Sequence, residues 1–303
     1  MKTLFASIII LFLSVSSFAQ DRFDVFYVAG NYNLMQEDNL NDKNYEAAIM
    51  SNLSIPIVLK DSSIWYTAVD YMYYSTPNKT LMFGGNNELN FNLHGIIIRT
   101  GYIHKFNSKQ SLQILFAPRY MSDFNTSFEK SVQLGGILMY EKIKNDDFTW
   151  RIGVLYNEEF FGTYIVPVVY LDWDLTSKFK IKGLLPVYAK AYIQASEKVE
   201  AGLHFIGLTT SYRINEQNFE NFYVDRRSID LSLFTNIHLW DNIFFEGRVG
   251  YSLSKDYGLY AEDDKIDLGI PLVNFGDDRE RANQEFEGSP FIHLRLKYSI
   301  PVN

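Results

Sequence analysis

Asp70, Arg119, Glu141, Arg151, Asp172, Asp230, Glu246, Arg248 and Arg295 all fall on the polar side of segments that alternate apolar and polar residues with a period of two. Glu158, Asp174, Lys190, Glu200, His204, His293 and Lys297 are read onto the same side. Acids and bases are mixed, with no ladder of one sign. Such a set suits a polar conduit that selects solutes weakly, or partners that neutralise one another across a narrow space. For any one residue, pairing is the commoner role. Arg119 stands apart because Pro118 precedes it and is expected to bend its strand inward.

Other chemistry is poorly represented. The five histidines are His94, His104, His204, His238 and His293, and no G-x-S-x-G, H-E-x-x-H or glycine-rich phosphate loop occurs. No enzyme is expected. The chain has no cysteine, which removes disulfides, thiolate metal sites and a lipidated N-terminal cysteine. Nine acids against Lys265, Arg279 and Arg281 make Tyr260 to Ser289 strongly acidic, but no spacing there matches a calcium loop. The stretch reads as an external loop whose Ile266 to Val273 portion folds back over the rest. No metal or cofactor is expected.

The elements that must position the polar set are strands. The hairpin from Ile229 to Leu253 is the clearest, with Leu231, Leu233, Val249 and Tyr251 on one side and Asp230, Glu246 and Arg248 on the other. A three-residue loop, Trp240 to Asn242, is expected to pair Leu239 with Ile243. The same reading places strands near 23–33, 44–59, 63–76, 89–106, 110–124, 131–143, 148–161, 164–175, 179–185, 187–195, 199–213, 227–239, 243–258 and 290–300. Asn90 to Arg99 changes phase around His94-Gly95, which predicts a bulge. Short connections alternate with mostly longer ones at Leu34 to Lys43, Pro77 to Glu88, Asn125 to Lys130, Asn215 to Arg226 and Tyr260 to Ser289. Tight turns at one end and longer loops at the other are the pattern of a transmembrane barrel.

Aromatic placement favours that barrel over a soluble sandwich. All four tryptophans, Trp65, Trp150, Trp173 and Trp240, lie at short turns, while Tyr71, Tyr73, Tyr120, Tyr156 and Tyr251 recur toward the far ends. Eight tilted residues span roughly 20 Å, close to the apolar band between aromatic girdles. The fold expected is an all-β, antiparallel up-and-down transmembrane β-barrel of fourteen strands, with twelve as the alternative. Lys2, the Leu4 to Val15 run and Ser17-Phe18-Ala19 make residues 1–19 a secretory signal peptide, leaving 20–303 as one barrel domain. The net charge of -8 argues against nucleic acid.

The signal peptide, the segment PVVYLDWDLTSKFKIKGLLP (Pro167 to Pro186) and the closing SPFIHLRLKYSIP resemble an uncharacterised family of outer-membrane β-barrels of Gram-negative envelopes, a domain of unknown function. The resemblance covers essentially the whole mature chain and implies location and architecture, with no substrate or catalytic residue to carry over. The final strand departs from the usual insertion signal, since Ile300-Pro301-Val302-Asn303 follow Tyr298. The partners expected are outer-membrane lipid, the barrel-assembly machinery and a small solute. Two functions compete: a channel or facilitator with a partly occluded polar lumen, and a structural or surface-binding barrel with a closed one.

Overall fold

The computed structural model describes residues 22–35, 44–82, 85–215, 220–283, 285–286 and 288–301; the signal-peptide segment 1–19 lies outside them. Their strands are β1 (Arg22–Met35), β2 (Asn44–Val58), β3 (Ile64–Met82), β4 (Gly85–Asn107), β5 (Gln110–Phe116), β6 (Arg119–Ser122), β7 (Val132–Gln133), β8 (Gly135–Asn145) and β9 (Phe148–Glu159). They continue as β10 (Gly162–Asp174), β11 (Phe179–Leu185), β12 (Tyr188–Ser196), β13 (Val199–Ile214), β14 (Phe222–Trp240), β15 (Ile243–Ala261), β16 (Leu268–Ile270), β17 (Val273–Phe275) and β18 (Ser289–Pro301). One helical turn, Phe128–Ser131, sits between β6 and β7.

β6 prolongs β5 beyond Ala117-Pro118 without changing register against β4, and β8 prolongs β7 in the same way. β16 and β17 form a hairpin inside the last long loop. Fourteen staves remain, antiparallel throughout, and β18 closes on β1 from Arg22↔Pro301 to Asn33↔Phe291. Twelve is excluded because β1 pairs along its length with both neighbours and because a tight turn at Pro186-Val187 separates β11 from β12.

Closure matters because hydrocarbon offers no hydrogen bonds to a free strand edge. The outer face then has to be apolar, and it is. Leu233 is 67% exposed and its cross-strand partner Val249 is 64% exposed; Leu53, Val69, Ile152, Leu203, Leu231, Ile292, Leu294 and Leu296 continue the belt. A soluble protein does not leave so wide an apolar band bare. Trp65, Trp173 and Trp240 stand exposed at the short-turn rim, and Trp150 packs edge-on against Tyr140 there. Tyr156 and Tyr251 mark the opposite rim on the same outer face. The protein is a bacterial outer-membrane β-barrel with its short turns on the periplasmic side.

Several sequence expectations change. Pro77 to Met82 and Gly85 to Glu88 are strand and not loop, since β3 and β4 stay paired to Met82↔Gly85. Phe222 to Arg226 belongs to β14. The hairpin of β14 and β15 turns through Asp241 and Asn242 alone, with Asp241 at φ 45° and a bulge between His238 and Trp240 keeping both apolar sets outside. No bulge occurs at His94-Gly95, where the ladder is regular. The phase change has another cause: inward-facing Phe91 and Leu93 are fully buried, so the inner face itself turns apolar there. Gly95 leaves space for the Met121 and Met72 side chains, whose atoms lie 3.0 and 3.1 Å from where a Cβ would stand.

The belt assignment predicts the effect of charge on it. Val249→Arg should destabilise the folded barrel by about 2–4 kcal/mol if lipid covers that side, against about 0–1 kcal/mol for an arginine near the rim. Urea titration in vesicles, read by heat-modifiable gel mobility, checks this; an unchanged midpoint would place Val249 off the lipid face.

Candidate functional site

The inner face divides into two walls that treat charge differently. On the wall from β3 to β11, each acid has one base. Asp70 takes Arg99 at 2.9 Å through two nitrogens, with Asn52 donating to it as well. Glu141 takes Arg151 at 2.6 Å, Asp172 takes Lys182 at 2.6 Å, and Asp174 takes Lys180 at 2.6 Å. The last three pairs face each other directly across neighbouring strands, where opposite charges stabilise a ladder.

On the wall from β12 through β18 to β2, each of three acids serves two bases. Glu246 accepts from Lys190 and Arg248, both at 2.5 Å. Asp24 accepts from Arg295 at 2.8 Å and has Lys297 at 3.7 Å. Glu46 accepts from Arg226 at 2.9 Å and Lys255 at 3.0 Å, and the Tyr257 hydroxyl donates to it. Asp230 is a fourth carboxylate, bonded by Ser252 and 3.8 Å from Lys255. With Arg22 over Phe244 and Glu200 bonded by Asn236 on the same wall, seven bases stand against five acids. Aromatic faces take up part of the excess: Arg226 lies 3.9 Å over Tyr74, Arg295 3.8 Å over Tyr27, and Lys190 4.7 Å over Phe234.

The outer half of the interior is packed differently. Tyr74, Phe91, Leu93, Met121, Phe161, Tyr164, Tyr212, Tyr223, Val224, Tyr257, Leu259 and Ile266 form one buried cluster. Two features build it. β6, beyond Pro118, meets β13 across the barrel, with a Ser122↔Arg213 bridge and the Asp123 N–H donating to the Arg213 carbonyl at 3.1 Å. Arg119 reaches Glu159 at 2.8 Å and also donates to Asn157, while Glu159 accepts from the Ser211 N–H and hydroxyl at 2.9 and 2.7 Å. The inward bend expected at Pro118 is therefore present, and Arg119 sits at its centre. Glu158 is exposed on the outer side; Glu159 is the inner residue, because β9 alternates to its end.

The acidic loop closes over this cluster. The Ile266 N–H donates to Phe161 O at 2.8 Å, and Gly269 of β16 bridges to Tyr164 of β10. Its two arginines point back into the fold. Arg281 holds Asp256 of β15 through two bonds of 2.6 and 2.7 Å, and Arg279 holds Asp277 at 2.8 and 2.9 Å and Asp225 of β14 at 3.3 Å. Among the described residues, no group of three or more metal-ligating side chains converges.

The residues singled out from sequence are thus placed. Asp70, Arg119, Glu141, Arg151, Asp172, Asp230, Glu246, Arg248 and Arg295 all make inner-face contacts, but they do not meet at one point. Asp230, Arg248, His204 and His293 line a common cavity with Arg226 and Lys255. Tyr73 and Tyr120 lie on the outer side around His94, which stacks on Phe124 at 4.0 Å and has the Tyr71 hydroxyl 3.0 Å from Nδ1. Glu46, Asp24, Arg99, Glu159, Arg226 and Lys255 were not singled out. Glu46 had the polar parity in β2, but its partners are 180 and 209 residues away in the chain.

A family model described as "Domain of unknown function (DUF6268)" matches residues 15–299. No curated protein matches the sequence. Among solved structures, the chain is similar to a mutant of the TodX monoaromatic hydrocarbon channel at 11% identity and TM-score 0.43, covering 93% of this chain and 91% of that one. The TodX toluene transporter of P. putida gives 9% identity and TM-score 0.39, with 94% and 91% covered. The NanC porin gives 8% identity and TM-score 0.39, with 91% and 100% covered.

Glu46 is fully buried between its two bases, so Glu46→Leu should cost about 3 kcal/mol by stranding them, and replacing Arg226 and Lys255 by methionine in the same chain should recover most of it. Urea midpoints of the three proteins check both statements.

Hydrogen bonds from Arg279, with help from Asn274, hold the Asp277 carboxyl down at about 2. A depressed folded value means the contact stabilises the loop fully above the unfolded carboxyl's pKa of about 3.9, and the stabilisation is lost as pH falls through about 2. Pepsin should therefore spare residues 262–283 at about pH 4 and cut them at about pH 1.5, whereas Arg279→Ala should be cut at both.

Proposed function

We propose that this chain, which belongs to the family of unknown function DUF6268, is a facilitator for small polar solutes with a partly occluded lumen. The inner half acts as an aqueous vestibule open to the periplasm. The outer half acts as a plug that must shift before anything crosses. The observation that carries this reading is the contrast in solvent contact along the same strands. The side chains of Arg99 on β4 and Arg151 on β9 keep 31% and 34% of their surface in the inner half, whereas Leu93 farther along β4 and Glu159 farther along β9 keep none.

The acid–base pairs of the vestibule make it wettable without strong ion selectivity, because most charge is neutralised across neighbouring strands. At the mouth the plug is held by Arg281 on Asp256, Arg279 on Asp225, the Tyr164–Gly269 bridge, backbone bonds at Ile266 and Ala282, and Asn283 bonded to Tyr257 and Leu259 of β15. The Arg281–Asp256 pair is partly exposed and contributes about 0–1 kcal/mol, whereas the Arg279–Asp225 pair is buried and costlier to break, so the loop is released rarely.

Permeation of this kind is read in planar bilayers. The purified protein should show rare, brief openings, and Arg279→Ala with Arg281→Ala should raise open probability about tenfold or more, equivalent to loss of about 1.4 kcal/mol of closure. Large steady openings of the unaltered protein would refute the plug. Silence of both proteins, together with no solute uptake in liposome swelling, would favour a structural or surface-binding barrel.

A further inference from the structure

We infer that the closed end of the inner lumen binds one small oxyanion, the size of phosphate or a short carboxylate. A cavity of about 70 Å³ lies there, between the aromatic cluster and the vestibule, lined by Arg226, Arg248, Lys255, His204 and His293 and by one carboxylate, Asp230, among others. Two of these groups are buried and incomplete. His293, 7% exposed, has no partner for Nε2, and Arg226, 2% exposed, has none for Nη1. Buried polar groups in folded proteins are almost always satisfied, so the cavity's content must be polar.

Its charge is also constrained. The guanidinium nitrogen of Arg226 can only donate, and His293 Nε2 donates in one neutral tautomer and when protonated. The surrounding wall carries seven bases on five acids, so a cation there would add to an existing positive excess. Water would satisfy both free groups and leave that excess untouched. An oxyanion accepts from both and offsets the charge, and charge-assisted hydrogen bonds of this type are the stronger class. The volume admits a few waters or one such ion, and Ile206, Leu208 and Phe291 on the same wall leave no space for a large hydration shell.

The site does not depend on any solute crossing the membrane, so it is tested by binding and not by flux. Calorimetric titration of the detergent-folded barrel with inorganic phosphate at low ionic strength should give saturable one-to-one binding. His293→Leu removes a free group and breaks no hydrogen bond, and Leu208→Trp fills the cavity; each should weaken binding by about tenfold or more. Heat-modifiable mobility confirms that each variant folds. A shift of the His293 ring nitrogen resonance on adding phosphate to the unaltered protein gives a readout that needs no variant. Absence of saturable binding with both phosphate and acetate would overturn the site. So would unchanged affinity in a folded variant of either kind, or a His293 resonance that does not move.

Discussion

The constraint on which the rest of this structure depends is that hydrocarbon cannot hydrogen-bond to backbone. A sheet in that solvent must close, and the β1–β18 ladder closes it. Closure fixes the side to which every residue points, because strand side chains alternate strictly. Apolar residues then have to face outward, and the polar residues of the same strands are forced together inside. The inner charges are therefore in part a consequence of lipid outside. With little room between walls, they must find partners among themselves, and the direct cross-strand pairs of β8 to β11 are the simplest solution.

The other wall does not take that solution. Three carboxylates each hold two bases, and two of the three, Glu46 and Glu246, are fully buried. Removing such charges from water is costly, and well-packed apolar residues often do better. Stability alone does not account for an arrangement in which bases outnumber acids. Tyr74, Tyr27 and Phe234 reduce the cost by presenting ring faces to Arg226, Arg295 and Lys190. Rings do not complete a guanidinium's in-plane donors, which is why Arg226 Nη1 stays without a partner.

Much of this was legible from the sequence because the bilayer imposes a simple period. The alternation of Leu231, Leu233, Val249 and Tyr251 against Asp230, Glu246 and Arg248 identifies the strands and their sides. Tryptophans at the short turns orient the barrel, and Pro118 announces the bend that brings Arg119 to Glu159. What was illegible lies where the interior stops being polar. A polar-inside rule reads Phe91 and Leu93 as a phase error and Phe222 to Arg226 as a loop, although each is regular strand facing a packed interior. Glu158 shares the parity of outward Ile152 and Tyr156, and counting by two from inward Arg151 reaches Glu159, so reading Glu158 inward breaks the period of its own strand. Partners such as Glu46 and Arg226, 180 residues apart, leave no local signal at all.

Two solvents thus act on one chain. Around the belt, the sheet has lipid on one side and a hydrated, charge-paired space on the other, and a single period serves both. Above the belt, β13, β14 and β15 continue past the short hairpin of β11 and β12, gain cover on both faces, and behave as a soluble core. Residues Thr210 to Ile214 are all buried, whichever way they point. Substitutions there should follow the rules of close-packed interiors, where cavity size sets the cost, while those in the vestibule should follow the rules of solvated charge. The cavity lined by Arg226 and His293 lies where these two regimes meet. It inherits buried, orientation-fixed donors from the one and an excess of positive charge from the other.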